Sequence, residues 1–204
     1  MTELEAINTL LSVIGEAPID SLSDITINEI TDSALARKTL NEVSRDVQAE
    51  GWSWNTDNDV TFDRDVADEI KLPASALKVV FPSYGNGNYV ARGLRVYDRN
   101  RQSYDMSNVD SVTATQVVSQ LNWEDMPHAA QQYIAIRAAR IYSDRFLNSD
   151  AIYVYTTNDE QYARSMLIRS EEREGGDNML YGNNLGIGQG IGYLPVQGMR
   201  YRRN

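Results

Sequence analysis

The chain has 204 residues, of which 42% are hydrophobic and 24% are charged, and it contains no cysteine. This length can bury a core, and the lack of cysteine excludes disulfide bonds, thiolate zinc sites and a cysteine nucleophile. The formal net charge of −10 argues against a protein that grips DNA, because such proteins present a basic surface. No apolar stretch approaches the roughly 18 residues that span a bilayer, and the first residues do not resemble a signal peptide.

The first predicted element is an amphipathic helix. Thr2 and Glu5 have the spacing of a capping box, and Gly15 suits the residue that follows a helix end. The apolar residues recur at helical spacing and form one stripe: Leu4, Ile7, Leu11 and Ile14. A helix this short is marginal alone, so we expect it to pack against other elements.

A second helix is predicted from Asp32 to about Glu50, after a loop. Thr31 is its candidate N-cap, and Gly51 ends it. Its apolar stripe consists of Ala36, Leu40, Val43 and Val47. Trp52 and Trp54 follow, and in an extended segment this spacing places both indoles on the same face. We expect them to anchor the chain where it leaves the helical layer.

The segment 52–122 changes in character, because β-branched and aromatic residues occur there in short runs bounded by turn residues. Strands are predicted at Val60–Phe62, Leu77–Phe81, Tyr89–Ala91, Leu94–Tyr97 and within Val109–Leu121. Arg92 and Gly93 separate the third run from the fourth, which predicts a hairpin. The segment therefore predicts a small antiparallel sheet.

Two more helices are predicted after this sheet. Pro127 suits the first position of a helix that extends to about Leu147. The next helix is predicted over 158–174, with Thr157 as its N-cap and Glu160 completing a capping box.

The predicted fold class is α+β, and it consists mainly of an α-helical bundle of four main helices. Segments 1–51 and 123–174 form the bundle, 52–122 is a β-rich insertion, and 175–204 is an extended Gly-rich C-terminal arm. Eight of the 13 glycines lie in this arm, which disfavours an independent fold.

The arm also carries apolar residues and a basic end, so we expect it to dock on another surface and not to serve as a solvated linker. Its predicted contact residues are Met179, Leu180, Tyr181, Leu185, Ile187, Ile191, Tyr193, Arg200, Tyr201, Arg202 and Arg203. A phosphate-binding loop is disfavoured here, because no strand precedes the glycines and no helical pattern follows them.

Two groups of carboxylates are candidates for a metal or catalytic site. The first group is spaced like the ligands of a calcium-binding loop: Asp57, Asp59, Asp63 and Asp65. It lacks the central glycine and the final glutamate of such a loop, which favours a solvated acidic loop. Glu124 and Asp125 are adjacent, and adjacent residues do not set the separation that glycoside hydrolysis needs. They are typical of acids in the first turn of a helix. No metal site is predicted.

Basic side chains are candidates for catalysis or for nucleic-acid binding. His128 is the only histidine, and its place at a predicted helix start favours a surface or capping role over catalysis. Arg137, Arg140 and Arg145 could contact nucleic acid, but the acids around them favour ion pairs within the helical layer. No catalytic or cofactor-binding residue is predicted.

Several motifs resemble, in their order along the chain, the tail tubular protein A family of short-tailed, podovirus-type phages. They are Gly15-Glu16-Ala17-Pro18; Ala36, Leu40-Asn41 and Val47; Gly51-Trp52-Ser53-Trp54-Asn55; Glu124-Asp125-Met126-Pro127; Ala138-Ala139-Arg140; Arg145-Phe146; and Asn178-Met179-Leu180. The resemblance covers about residues 4–182, with weak matching between 60 and 120.

The resemblance implies a structural adaptor of the virion tail that is assembled in the host cytoplasm, has no cofactor and is not an enzyme. Such proteins form a twelvefold ring that joins the portal protein to the tail nozzle protein, tail tubular protein B. Tail fibres attach near that junction, and double-stranded DNA passes through the lumen without specific binding. The alternatives are a tail-associated glycan or peptidoglycan hydrolase and a head-completion protein of another phage type.

Overall fold

The computed structural model describes residues 1–25, 31–82, 88–147 and 157–174. Within them, the helices are α1 (Glu3–Val13), α2 (Asp32–Ala49), α3 (His128–Leu147) and α4 (Thr157–Glu174). The strands are β1 (Thr56–Asp63), β2 (Ala76–Val80), β3 (Tyr89–Arg92), β4 (Arg95–Asp98) and β5 (Ser111–Ser119). The prediction of an α+β fold with four main helices is confirmed, whereas the predicted arm at 175–204 lies outside the described residues.

The ends of α1 follow the sequence prediction. The Thr2 hydroxyl accepts a hydrogen bond from the Glu5 backbone, and the Glu5 carboxylate accepts one from the Thr2 backbone at 2.8 Å. Gly15 has φ +81°, and the Glu16 amide donates to the Leu11 carbonyl at 3.1 Å. Together with a bond from the Gly15 amide to Ser12, this forms a Schellman motif that satisfies the last carbonyls of the helix.

Helix α2 also begins and ends where the sequence predicts. The Thr31 hydroxyl accepts from the Ala34 amide at 3.2 Å, and Gly51 follows the helix with φ +85°. The expectation of an extended segment around Trp52 and Trp54 is wrong, because Ser53–Asn55 forms a short 3-10 helix. Both indoles nevertheless pack against the helical core.

Three local predictions about helix starts need correction. Helix α3 begins at His128, so Pro127 precedes the helix and contributes its carbonyl to the Gln131 amide. Proline loses no hydrogen bond at either position, so the sequence does not distinguish them. Glu124 and Asp125 belong to a separate 3-10 helix before α3. Thr157 is the first residue of α4 and not its N-cap.

One hydrophobic core lies between the helices. The predicted stripes of α1 and α2 face α3, whose buried side is rich in small side chains: Ala130, Ala135, Ala138 and Ala139. Such residues let neighbouring helices approach closely. The large buried side chains Tyr133 and Tyr142 fill the remaining space.

The strands form two small antiparallel sheets, one in the order β1-β5-β2 and the other made of β3 and β4. Gly93, with φ +61°, occupies the two-residue turn of the predicted hairpin, where glycine is favoured. A second and smaller hydrophobic core lies among these strands: Ile70, Leu72, Phe81, Val96, Met106, Val112, Ala114 and Val117.

Buried polar side chains join the two cores. The Gln48 amide group bonds both backbone groups of Leu121, accepting from the amide at 2.7 Å and donating to the carbonyl at 3.3 Å. Asn55 accepts from the Trp52 amide and donates to the carbonyls of Gln48 and Ser119. The chain is therefore held where it enters and where it leaves the β-rich segment.

Candidate assembly surfaces

Helix α4 packs on α3 through a narrow apolar side and a larger polar one. Ala163 and Leu167 reach the helical core. Beside them, Glu160 accepts from the Arg140 guanidinium and lies 3.7 Å from that of Arg137. The Glu171 carboxylate accepts from the backbone amide of Ser53. Polar contacts therefore hold much of α4 in place.

Arg164 is the centre of this polar contact. Its guanidinium forms two bonds to the Glu50 carboxylate, at 2.8 and 3.2 Å, and a third to the Tyr133 hydroxyl at 3.0 Å. Arg137 donates to the same hydroxyl. The Glu50 carboxylate, and then the Tyr133 hydroxyl, raise the pKa of Arg164 above its ordinary value. The predicted ion pairing of the α3 arginines is confirmed.

Away from this contact, α4 exposes large apolar side chains. The exposed fractions are 68% for Tyr162, 42% for Met166 and 42% for Ile168. Tyr162 and Met166 are four residues apart and therefore adjacent on the helix surface. Singly exposed apolar residues are common on protein surfaces, but contiguous ones with polar surroundings are typical of protein contact sites. This surface is a candidate for contact with another chain.

The β3–β4 hairpin presents arginine and tyrosine. The Arg92 guanidinium lies 3.6 Å from the centre of the Tyr97 ring, and that of Arg95 lies 4.2 Å from the Tyr104 ring. The two rings meet edge to face at 5.0 Å. These are cation–π contacts on a surface composed of residue types that are enriched at protein interfaces.

Three of the four aspartates of the predicted acidic loop lie on a strand. Asp57, Asp59 and Asp63 belong to β1 and are exposed. Asp65 lies in the following turn, where its carboxylate pairs with Lys71 at 2.6 Å. The loop expectation is therefore wrong for three of the four aspartates. In the described ranges, no group of acids and histidine could hold a metal ion.

The remaining predictions concern His128, the C-terminal arm and membrane-spanning segments. His128 is exposed at the start of α3, with its Nδ1 atom 3.4 Å from the Met1 amino group. All predicted arm residues, from Met179 to Arg203, lie outside the described part of the chain. None of the described helices is long and apolar enough to cross a membrane.

Sequence reasoning missed the joint between the two cores. Gln48 lies at a polar position beside the apolar stripe of α2, and it is fully buried. The signal that could have found it is its spacing of four residues from Ser44, whose hydroxyl accepts from its amide group at 3.0 Å. Asn55 belongs to the Gly51–Asn55 motif that resembles the family, but its hydrogen bonds to both ends of the β-rich segment are seen only in the structure.

The comparisons with known proteins agree on one family. The family model described as Tail tubular protein matches residues 4–177, which include both hydrophobic cores. The chain is 29% identical over 176 residues to Tail tubular protein A of Klebsiella phage KP34, covering 85% of this chain and 88% of that relative. Proteins of this family are structural components of the virion tail and not enzymes, which disfavours the hydrolase and head-completion alternatives. This chain belongs to the tail tubular protein family.

Proposed function

We propose that this protein is an adaptor subunit of a ring of twelve copies that joins the portal protein to the tail nozzle protein. In this ring, segments 1–51 and 123–174 form the body, and the β-rich insertion at 52–122 reaches toward the nozzle protein or the tail fibre. The lumen of the ring forms part of the DNA channel.

The observation that carries the proposal is the exposed apolar surface of α4 on a chain of this family. Tyr162 and Met166, which are adjacent on one side of α4, would be buried if another copy or a tail partner covered them, whereas Ile168 lies on a different side of the helix. Burial of apolar surface contributes about 25 cal/mol per Å² before the ordering costs of association. A closed ring requires contacts of this kind to repeat by rotation.

The acidity of the chain supports a passage for DNA. With a formal charge of −10 per copy, a wall lined by carboxylates would repel the phosphate backbone evenly. DNA could then slide without specific binding. A basic lumen would instead retain it through its phosphates.

Electron microscopy of the purified chain mixed with the portal protein of the same phage tests this function. We expect rings on the portal, and we expect the nozzle protein to bind only after the ring has formed. Nozzle binding to the portal in the absence of this chain would contradict the adaptor role, as would particles without rings.

The arm at 175–204 would strengthen each contact by docking on a neighbouring copy or on the portal. Its apolar residues from Met179 to Tyr193 would supply buried area, and Arg200–Arg203 would pair with acidic groups. Truncation after Gly182 tests this role. We expect the truncated chain to keep the helical content of the full chain but to form fewer rings on the portal. Rings at undiminished yield would contradict it.

A further inference from the structure

The arginines of the β3–β4 hairpin and of the turn directly after it differ in their partners. Arg95 pairs with Glu69 at 2.7 Å, and Arg101 lies 3.6 Å from the Asp105 carboxylate. Arg92 and Arg99 are exposed and have no carboxylate partner in the described ranges. The hairpin therefore offers two positive charges that nothing in the described part of its own chain neutralises.

The edge strand β1 has the opposite property. Asp57, Asp59 and Asp63 are exposed, and none forms an ion pair with the described residues. Strand β1 pairs with β5 on one side only, so its other edge has no strand partner there. Charged side chains on an edge strand are one way in which proteins block unwanted strand pairing. Exposed aspartates at such an edge also attract positive charge.

The two surfaces belong to different elements of the β-rich part. Strand β1 forms one edge of the three-stranded sheet, whereas β3 of the hairpin contacts β2 at the other edge and β4 bridges to Lys71 in the segment after β1. A head-to-tail ring needs two different and complementary surfaces on every copy. Given the ring proposed above, on which this inference rests, we infer that Arg92 and Arg99 of one copy pair with the β1 aspartates of the next copy.

A second copy fits this hairpin better than nucleic acid does. Two unpaired cations are few for a backbone-tracking site, and the chain as a whole is acidic, with a formal charge of −10. The rings of Tyr97 and Tyr104 are already covered by guanidinium groups, so they are not free to stack on bases. The matching negative charges are present on the chain itself.

Charge reversal tests the contact with two variants. One carries Arg92→Glu and Arg99→Glu, and the other carries Asp57→Lys and Asp63→Lys. Arg45→Glu, on the exposed side of α2, is the matched control. Assembly of each on the portal is measured by electron microscopy and by sedimentation, after circular dichroism has shown that the variants are folded.

We expect each reversed variant to assemble at least about tenfold more weakly than the unmodified chain, because like charges would face each other. A mixture of the two variants, or one chain carrying all four changes, should restore assembly, and the control should assemble normally. Normal assembly of either reversed variant would overturn the inference while leaving the ring intact, and so would failure of the fourfold variant to recover. Absence of rings from the unmodified chain would instead overturn the proposed function.

Discussion

The helical part and the β-rich part of this protein are stabilised differently. The helices share a large core of aliphatic, alanine and aromatic side chains. The strands enclose a much smaller core, and ion pairs surround both parts, such as Arg64 with Asp68 among the strands and Arg164 with Glu50 among the helices. Exposed pairs of this kind contribute about 0–1 kcal/mol each. We therefore expect the helical part to dominate the stability and the β-rich part to open first.

The difference has a consequence for assembly. In the proposed ring, the helical part with its large core would hold a fixed place, whereas the smaller β-rich part with its charged surface would adapt to different partners. Gln48 and Asn55 couple the two parts through buried hydrogen bonds.

The largest effect is expected from truncation in the two cores. Leu40→Ala and Ile70→Ala each remove a fully buried aliphatic side chain and should cost about 2–5 kcal/mol. Hydrogen exchange should show protection lost throughout the chain for Leu40→Ala, but mainly in the strands for Ile70→Ala. Equal loss in helices and strands for both variants would contradict the contrast between the two parts.

A second effect concerns alkaline pH. Burial, and then the nearby Asp32 and Glu16 carboxylates, raise the pKa of Tyr142 to about 12, and its hydroxyl donates to the Asp32 carbonyl at 2.9 Å. A raised pKa in the folded state stabilises the protein below pH 10, and this contribution is lost as the pH rises toward 12. We expect a loss of about 2–3 kcal/mol over this range.

Urea denaturation between pH 8 and 11.5 measures this effect, with Tyr142→Phe as the comparison. The variant should be less stable than the parent near neutral pH and should lose less stability at high pH. Parallel pH profiles for the two proteins would show that Tyr142 does not keep its proton in the folded state.

Gln48→Met tests the joint between the parts. The change keeps the side-chain volume but leaves both backbone groups of Leu121 without their partner, at a cost of about 1–3 kcal/mol. Gln132→Met, on the exposed side of α3, is the control and should cost little. Chemical denaturation measures the free energy of unfolding of both variants. Equal stabilities of Gln48→Met and Gln132→Met would mean that the bonds of Gln48 to Leu121 contribute nothing to stability.

The smallest effect is expected at α4. Arg164→Met removes the two bonds to the partly exposed Glu50 carboxylate and the bond to the Tyr133 hydroxyl, which still accepts from Arg137. We expect a loss of about 1 kcal/mol, seen as roughly fivefold faster hydrogen exchange in α4 alone. Arg145→Met, which breaks the more exposed pair with Glu42, should change exchange less. Unchanged exchange in α4 would show that its apolar contacts suffice.

Local signals made much of the fold predictable. The capping box at Thr2, the glycines after α1 and α2, and the hairpin glycine at position 93 all act within a few residues. Such signals fix where an element begins and ends because the partners of each backbone group are nearby in sequence. The ion pairs of the α3 arginines were also predictable, because acids surround them.

The sequence did not reveal contacts that join distant residues. Gln48 meets Leu121, and Glu50 meets Arg164, only after α2, α3 and α4 have packed together. The run of acids around Asp57 and Asp59 predicts a solvated acidic loop, yet pairing of this segment with β5 imposes a strand, although aspartate is depleted in strands. Asp59 keeps a positive φ of 54° within it, which aspartate tolerates better than most residues.

Labelling of Tyr162 and Met166 by hydroxyl radicals, in the free chain and in purified tails, tests the central claim most directly. Both side chains are exposed in the single chain and should react readily there. If α4 contacts another chain in the tail, their labelling should fall severalfold on assembly, while an exposed residue of the same chain outside the contacts keeps its reactivity. Equal labelling in both states would show that this surface stays open to solvent, and that assembly does not depend on its burial.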